Sequence, residues 1–223
     1  MDTIWPALRL SMQVAAWACV ITLLSGTALG WLLARCRFPG RALLDTLLTL
    51  PMVLPPTVLG YYLLVLLGRR GALGGWLQEH FGINLIFTWQ GAVIAAAFVT
   101  FPLVFKPARA AFEDVDRQLE QAARVLGLSE WRLFLRVSLP LAWRGILAGL
   151  LLAFARAMGE FGATLMVAGS IPGETQTLSV AVYEAVQAGQ DDAALTLALV
   201  TSALCILVLL AAGRLAPRLP GRS

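Results

Sequence analysis

Arg156 and Glu160 stand four residues apart inside residues 145–169, a stretch that is otherwise apolar. Four residues is about one turn of an α-helix, so both side chains fall on one helical face. An unpaired charge at the centre of a hydrocarbon layer costs about 2.5–3.5 kcal/mol even on lenient insertion scales. Two roles answer that cost. Either the pair neutralises itself within the helix, or it faces a polar path or a second copy of the chain, with the Arg156 guanidinium placed to attract an oxyanion. Gly159, Gly162 and Ala163 on the same segment permit close helix approach, which suits a packing contact or a gate. Thr164 completes the candidate set there.

A second set is Pro51, Pro55 and Pro56, all within residues 46–68. They cannot all be helix-interior without losing backbone hydrogen bonds and kinking the helix. Broken helices at membrane depth persist where protein buries them or where they line a wet cavity. Residues 51–60 are therefore expected either to line a pathway or to form a structural kink. Catalytic chemistry finds no support: the chain has no G-x-S-x-G, H-E-x-x-H or G-x-x-x-x-G-K-[ST] pattern. His80 stands alone. Cys19, Cys36 and Cys205 have no metal-like spacing and read as small apolar packing residues. No catalytic residue, metal or cofactor is expected.

These residues need a scaffold, and composition says which. The chain has 223 residues, 59% hydrophobic and 13% charged, against roughly 25% charged in a soluble domain. That deficit marks an all-α integral membrane protein. Five segments of about 20 apolar residues, enough to cross a hydrocarbon core of about 30 Å, fall at about 10–34, 46–68, 85–105, 143–168 and 193–213 within one transmembrane domain, residues 1–223. The first has no basic region ahead of it and is too long for a signal-peptide core, so it is expected to be a retained helix. Five spans place the termini on opposite sides. Arg35, Arg37, Arg41, Lys106, Arg109, Arg117, Arg124, Arg132, Arg136, Arg144, Arg214, Arg218 and Arg222 gather on one side; Arg9, Arg69 and Arg70 oppose them. The positive-inside rule makes the richer side cytoplasmic, with the N-terminus outside and the C-terminus inside. The excess of basic residues follows from this topology, and no nucleic-acid partner is expected.

One cytoplasmic stretch, residues 113–140, is too polar to cross. Its core reads EQAARVLGLSEWRLFLRVSLP, residues 120–140. Leu119, Ala122, Ala123 and Leu126 recur at helical spacing; Gly127 interrupts them; Ser129 suits an N-cap. A second short helix then places Trp131, Phe134 and Leu135 on one face and Arg132 and Arg136 on the other. Pro140 is expected to open the next span, because proline is tolerated in a first turn. The product is a helix–glycine–helix elbow, which either lies on membrane lipid or docks into a soluble partner.

The stretch resembles the cytoplasmic coupling loop of ABC-importer permeases, matching at Ala122, Ala123, Gly127, Leu139 and Pro140, with Phe134 at a usual aromatic position. Aligned on the glycine, Gln121 occupies the usual glutamate position, and Glu120 sits one residue early. About 100° of helix rotation separates the two, and which of them a partner meets is open. RCRFPGRALLDTLLTLPMVLPPTVLGYYLL (35–64), ARAMGEFGATLMVAG (155–169) and IPGETQT (171–177) resemble molybdate-importer permeases, with sulfate permeases as close relatives. The resemblance implies the type I importer permease fold and a place in the bacterial cytoplasmic membrane. It also implies a second copy of the chain, two copies of an ABC ATPase subunit, and an extracytoplasmic oxyanion-binding protein. The chain is then a transport subunit for molybdate, with sulfate, thiosulfate or tungstate as alternatives, and a separate subunit hydrolyses ATP. A self-contained secondary transporter usually shows duplicated halves, and five spans show none. A membrane anchor or scaffold subunit is the alternative from another class.

Overall fold

In a computed structural model the described residues are 4–215, with side chains to 210. They form helices joined by short turns. In chain order these are α1 (Ile4–Arg35), α2 (Arg41–Thr49) with a 3₁₀ turn (Leu50–Met52), α3 (Pro56–Leu67), α4 (Ala72–Phe81) and α5 (Trp89–Glu113). Then follow α6 (Arg117–Val125), α7 (Glu130–Leu133) with a π-helical turn (Phe134–Ser138), α8 (Leu139–Met158), α9 (Gly162–Ala168), α10 (Leu178–Gln187) and α11 (Asp191–Leu215). Of the basic tail, Arg218, Arg222 and the side chain of Arg214 lie outside the described residues.

Helix α5 is the axis of the bundle, and small residues let its neighbours in. Its Ala92, Ala95, Ala96, Ala97 and Ala108 are buried. On α1, a Cβ added at Gly26 would lie 3.2 Å from the Phe105 nitrogen, and one at Gly30 would lie 3.0 Å from the Arg109 nitrogen. On α8, a Cβ at Gly145 would lie 2.6 Å from Ala111 Cβ, and one at Gly149 would lie 2.6 Å from the Leu103 carbonyl oxygen. Two G-x-x-x-G pairs thus press α1 and α8 onto α5 backbone to backbone. This is the packing expected where lipid removes the hydrophobic drive and van der Waals contact must hold helices together. By contrast α11 turns Leu195, Leu199, Ile206, Leu207 and Leu210 outward, a lipid-facing surface.

Among the described residues four helices are long and apolar enough to cross a membrane, or five spans if one bent pair is counted as a single span, and several expected boundaries shift. The first span is longer than 10–34: α1 has 32 residues, about 48 Å at 1.5 Å per residue. The second is not a helix over 46–68 but a broken one, Arg41–Met52 and Pro56–Phe81, bent by 110°. The third is Trp89–Glu113 rather than 85–105, because Thr88 Oγ1 accepts from the Gly91 N–H at 3.2 Å and starts the helix there. The fourth is a helix over Glu130–Met158 that stops inside the expected 143–168, and α9 resumes after a three-residue break. In the fifth, the helix starts at Asp191.

Candidate functional site

Two places gather the candidate residues. At the first, Asp116 starts α6, its Oδ1 accepting from the Gln118 N–H at 2.8 Å. Gly127, at φ +83°, ends it. The Gly127 N–H donates to the Arg124 carbonyl at 2.9 Å and the Leu128 N–H to that of Ala123 at 3.1 Å, the paired bonds of a left-handed glycine stop. Nothing lies within 4 Å of where a Gly127 Cβ would be. Ser129 holds the N-cap position of α7 without a side-chain cap bond. Arg124 spans the elbow to Glu130 with bonds of 2.7 and 3.1 Å.

The second arm differs from expectation. It is not a short helix separate from the span that follows. Helix α7 runs through the π turn into α8, and Pro140 sits in the first turn of α8 within one run, Glu130–Met158. The elbow is therefore the N-terminal end of the fourth span folded back against α6. Its apolar face is only partly used: Ala123 is buried, but Leu119, Val125 (88%), Leu126 (80%) and Trp131 remain exposed.

Glu120 and Gln121 part company. Gln121 is exposed with Ala122, whereas Glu120 is 2% exposed. The Glu120 Oε1 atom accepts from Arg35 Nε at 3.0 Å and Ser138 Oγ at 2.6 Å, with Arg35 Nη2 at 2.8 Å. Arg35 also donates to the Val115 carbonyl at 3.3 Å. Phe134 enters the same region, its ring centroid 5.3 Å from Trp31 and 6.0 Å from Phe112; Leu139 is half-buried and Pro140 exposed. Neither Arg35 nor Ser138 carries a local sequence signal, since 85 and 18 residues separate them from Glu120.

The second place is a meeting of two helix breaks. No proline of the 51–56 set is helix-interior. Pro51 is buried in the 3₁₀ turn, Pro55 is the N-cap residue of α3, and Pro56 opens it. Opposite, α8 ends at Met158 with Gly159 as its C-cap. A Cβ at Gly162 would lie 3.2 Å from Pro56 Cβ, and one at Gly60 would lie 2.8 Å from Met166 Cβ and 2.9 Å from Ala163 Cα. The two breaks thus touch through glycine. Gly60 was missed by sequence reasoning, because no charge or proline marks it. Thr164 is buried in α9.

Arg156 and Glu160 pair at 2.8 Å, Nη1 to Oε2, a close contact without hydrogen-bond alignment. They do not share a helical face. Glu160 lies in the break beyond α8, where its Oε1 accepts from the Ala163 N–H at 3.0 Å and starts α9. Its side chain is 1% exposed against 38% for Arg156. Beside them, Phe161 packs on Tyr183 of α10 with ring centroids 4.9 Å apart. Among the described residues no group of acidic, histidine and cysteine side chains could hold a metal ion.

Known proteins are similar to this chain. The chain is 49% identical over 210 residues to the molybdenum transport system permease protein ModB of Escherichia coli, covering 94% of this chain and 92% of that one. It is 46% identical over 182 residues to the putative molybdenum transport system permease protein YvgM of Bacillus subtilis, covering 82% and 80%. The sulfate transport system permease protein CysW of Escherichia coli is 42% identical over 176 residues, covering 79% and 60%. Among solved structures, one chain of a bacterial alginate ABC transporter matches with a TM-score of 0.75 at 16% identity, covering 98% and 80%. A chain of the MetNI methionine ABC transporter in an inward-facing conformation matches at 0.66 and 16%, covering 96% and 93%. These two place the fold among ABC-importer permeases of type I. Residues 26–220 match the family described as the inner membrane component of binding-protein-dependent transport systems, and the chain belongs to that family.

Proposed function

We propose that the chain is the membrane-spanning subunit of an ATP-driven importer and carries molybdate across the inner membrane. The observation that carries the mechanism is the elbow: Leu119, Val125, Leu126 and Trp131 stand exposed around a rigid glycine stop. Apolar side chains gathered at a fixed tip suit a partner's groove. That partner is an ABC ATPase subunit, in two copies, one for each of two copies of this chain. An extracytoplasmic binding protein delivers the oxyanion on the opposite side.

The N-terminus then lies outside and the C-terminus in the cytoplasm, an orientation supported by Arg35, Arg37, Arg41, Lys106 and Arg109 at the elbow end. Residues Pro51, Pro55, Pro56, Arg156, Gly159, Glu160, Gly162 and Thr164 bound the translocation path at the two helix breaks, with α3 and α9 as the movable wall. Cargo is molybdate, a reading supported by relatives that match over most of the chain and are named as molybdenum transport system permeases; the sulfate permease likeness makes sulfate the competing ion.

The test is uptake by proteoliposomes holding this chain and binding protein, with and without the ATPase. Molybdate uptake that requires ATPase and ATP, and exceeds sulfate uptake, is expected. Uptake indifferent to the ATPase refutes the importer; preference for sulfate reassigns the cargo.

A further inference from the structure

Helix α6 has a small hold on the protein body. Only Glu120 and Ala123 of its nine residues are buried. Alanine offers a methyl contact; Glu120 offers three short polar contacts converging on one carboxylate oxygen, from Arg35 Nε, Arg35 Nη2 and Ser138 Oγ. Charge-assisted bonds of this kind are about twice as strong as neutral ones, and a guanidinium fork adds a fixed direction. Any displacement of α6 must therefore move Arg35 and Ser138 or break that cluster.

Those two residues belong to different spans. Arg35 is the last residue of α1. Ser138, fully buried, ends the π-helical turn before α8. A π turn holds one residue more per hydrogen-bonded ring than an α-helix, and such turns collect at functional places in helices. Phe134 opens this turn and touches Trp31 of α1, Phe112 of α5 and Trp131 of α7 at centroid distances of 5.3, 6.0 and 5.8 Å. The ionic joint thus ties α6 to the end of α1 and to the turn that leads into α8, and beside it the aromatic joint ties that same turn to α1, α5 and α7.

We infer that Glu120, Arg35 and Ser138 form a transmission clamp: they are positioning residues that pass movement of the elbow to α1 and, through the π turn, to α8, the span ending at Met158. The inference rests on the importer function proposed above. It assigns two tasks to neighbouring positions. Gln121 and the exposed apolar tip meet the partner, while Glu120 faces inward and carries the displacement. Burial decides the split, because a carboxylate enclosed by the protein cannot also sit in a partner's groove.

The experiment uses the complete complex with ATPase and binding protein in proteoliposomes, and reads ATPase co-purification, ATP hydrolysis and molybdate uptake in one preparation. Glu120→Gln keeps the shape and removes the charge; Arg35→Met removes the fork; Ser138→Ala deletes one hydroxyl and is the variant least able to disturb folding. The expected result is retained ATPase and ATP hydrolysis, with molybdate taken up per ATP falling at least about fivefold, the lower end of usual coupling between sites. Unchanged uptake per ATP in assembled Ser138→Ala and Glu120→Gln complexes overturns the clamp. Loss of the ATPase from every variant, Ser138→Ala included, overturns it too, because the cluster would then serve docking. Wild-type complexes separate the two claims: absence of ATP-dependent uptake there removes the importer function and the clamp with it.

Discussion

Removing Arg156 should harm the protein more than removing Arg156 and Glu160 together. The structure supplies the asymmetry. Glu160 is enclosed, with one oxygen on the Ala163 N–H at 3.0 Å and the other 2.8 Å from Arg156. Arg156→Ala strands that carboxylate, and breaking a buried pair from one side costs about 3–5 kcal/mol. Adding Glu160→Ala removes the stranded charge and leaves the loss of a helix cap, about 1 kcal/mol. The single variant should therefore be less stable by about 2–4 kcal/mol, where each 1.4 kcal/mol is about a factor of ten in population. Glu160→Gln should be the mildest, since its amide oxygen still accepts from Ala163 and the guanidinium it leaves is 38% exposed. The assay is the fraction of monodisperse detergent-solubilised protein after graded heating, with uptake measured on the same preparations. Equal stability of the single and double variants, with uptake lost in each, would refute self-neutralisation and give Arg156 a direct part in oxyanion passage.

Gly127→Leu should leave membrane abundance near wild type while ATPase co-purification and uptake fall steeply. No atom obstructs the new side chain, but φ +83° costs an L-residue roughly 1–2 kcal/mol, and the tip it reshapes carries Val125 and Leu126. Full co-purification by that variant would remove the elbow as the docking element. At the seam between the breaks, Gly60→Ala should cost about 1–3 kcal/mol by overpacking, and Gly162→Ala less, because their added Cβ atoms meet neighbours at 2.8 and 3.2 Å respectively. Melting temperatures in the opposite order would show that α9 yields where α3 does not.

Whether a segment enters the membrane depends on its own residues, so composition alone carried the crossings, the polar elbow and the glycine stop at Gly127. A proline's effect on its own backbone is equally local, and the break near Pro55 was legible for that reason. The resemblance in residues 35–64, 120–140 and 155–177 carried the family. Other features depended on which helices meet. Residues 145–169 are apolar apart from Arg156 and Glu160, and their hydropathy does not mark the stop at Met158; Glu160 lies in the break and starts the next helix through a bond to Ala163 that periodicity does not encode. Spacing put Arg156 and Glu160 together correctly but on a helical face that does not exist. At the elbow, a one-residue offset left Glu120 and Gln121 undecided. Arg35, far away along the chain, makes Glu120 the buried one of the two, because a buried carboxylate persists only where the fold delivers a cation and a hydroxyl to the same point.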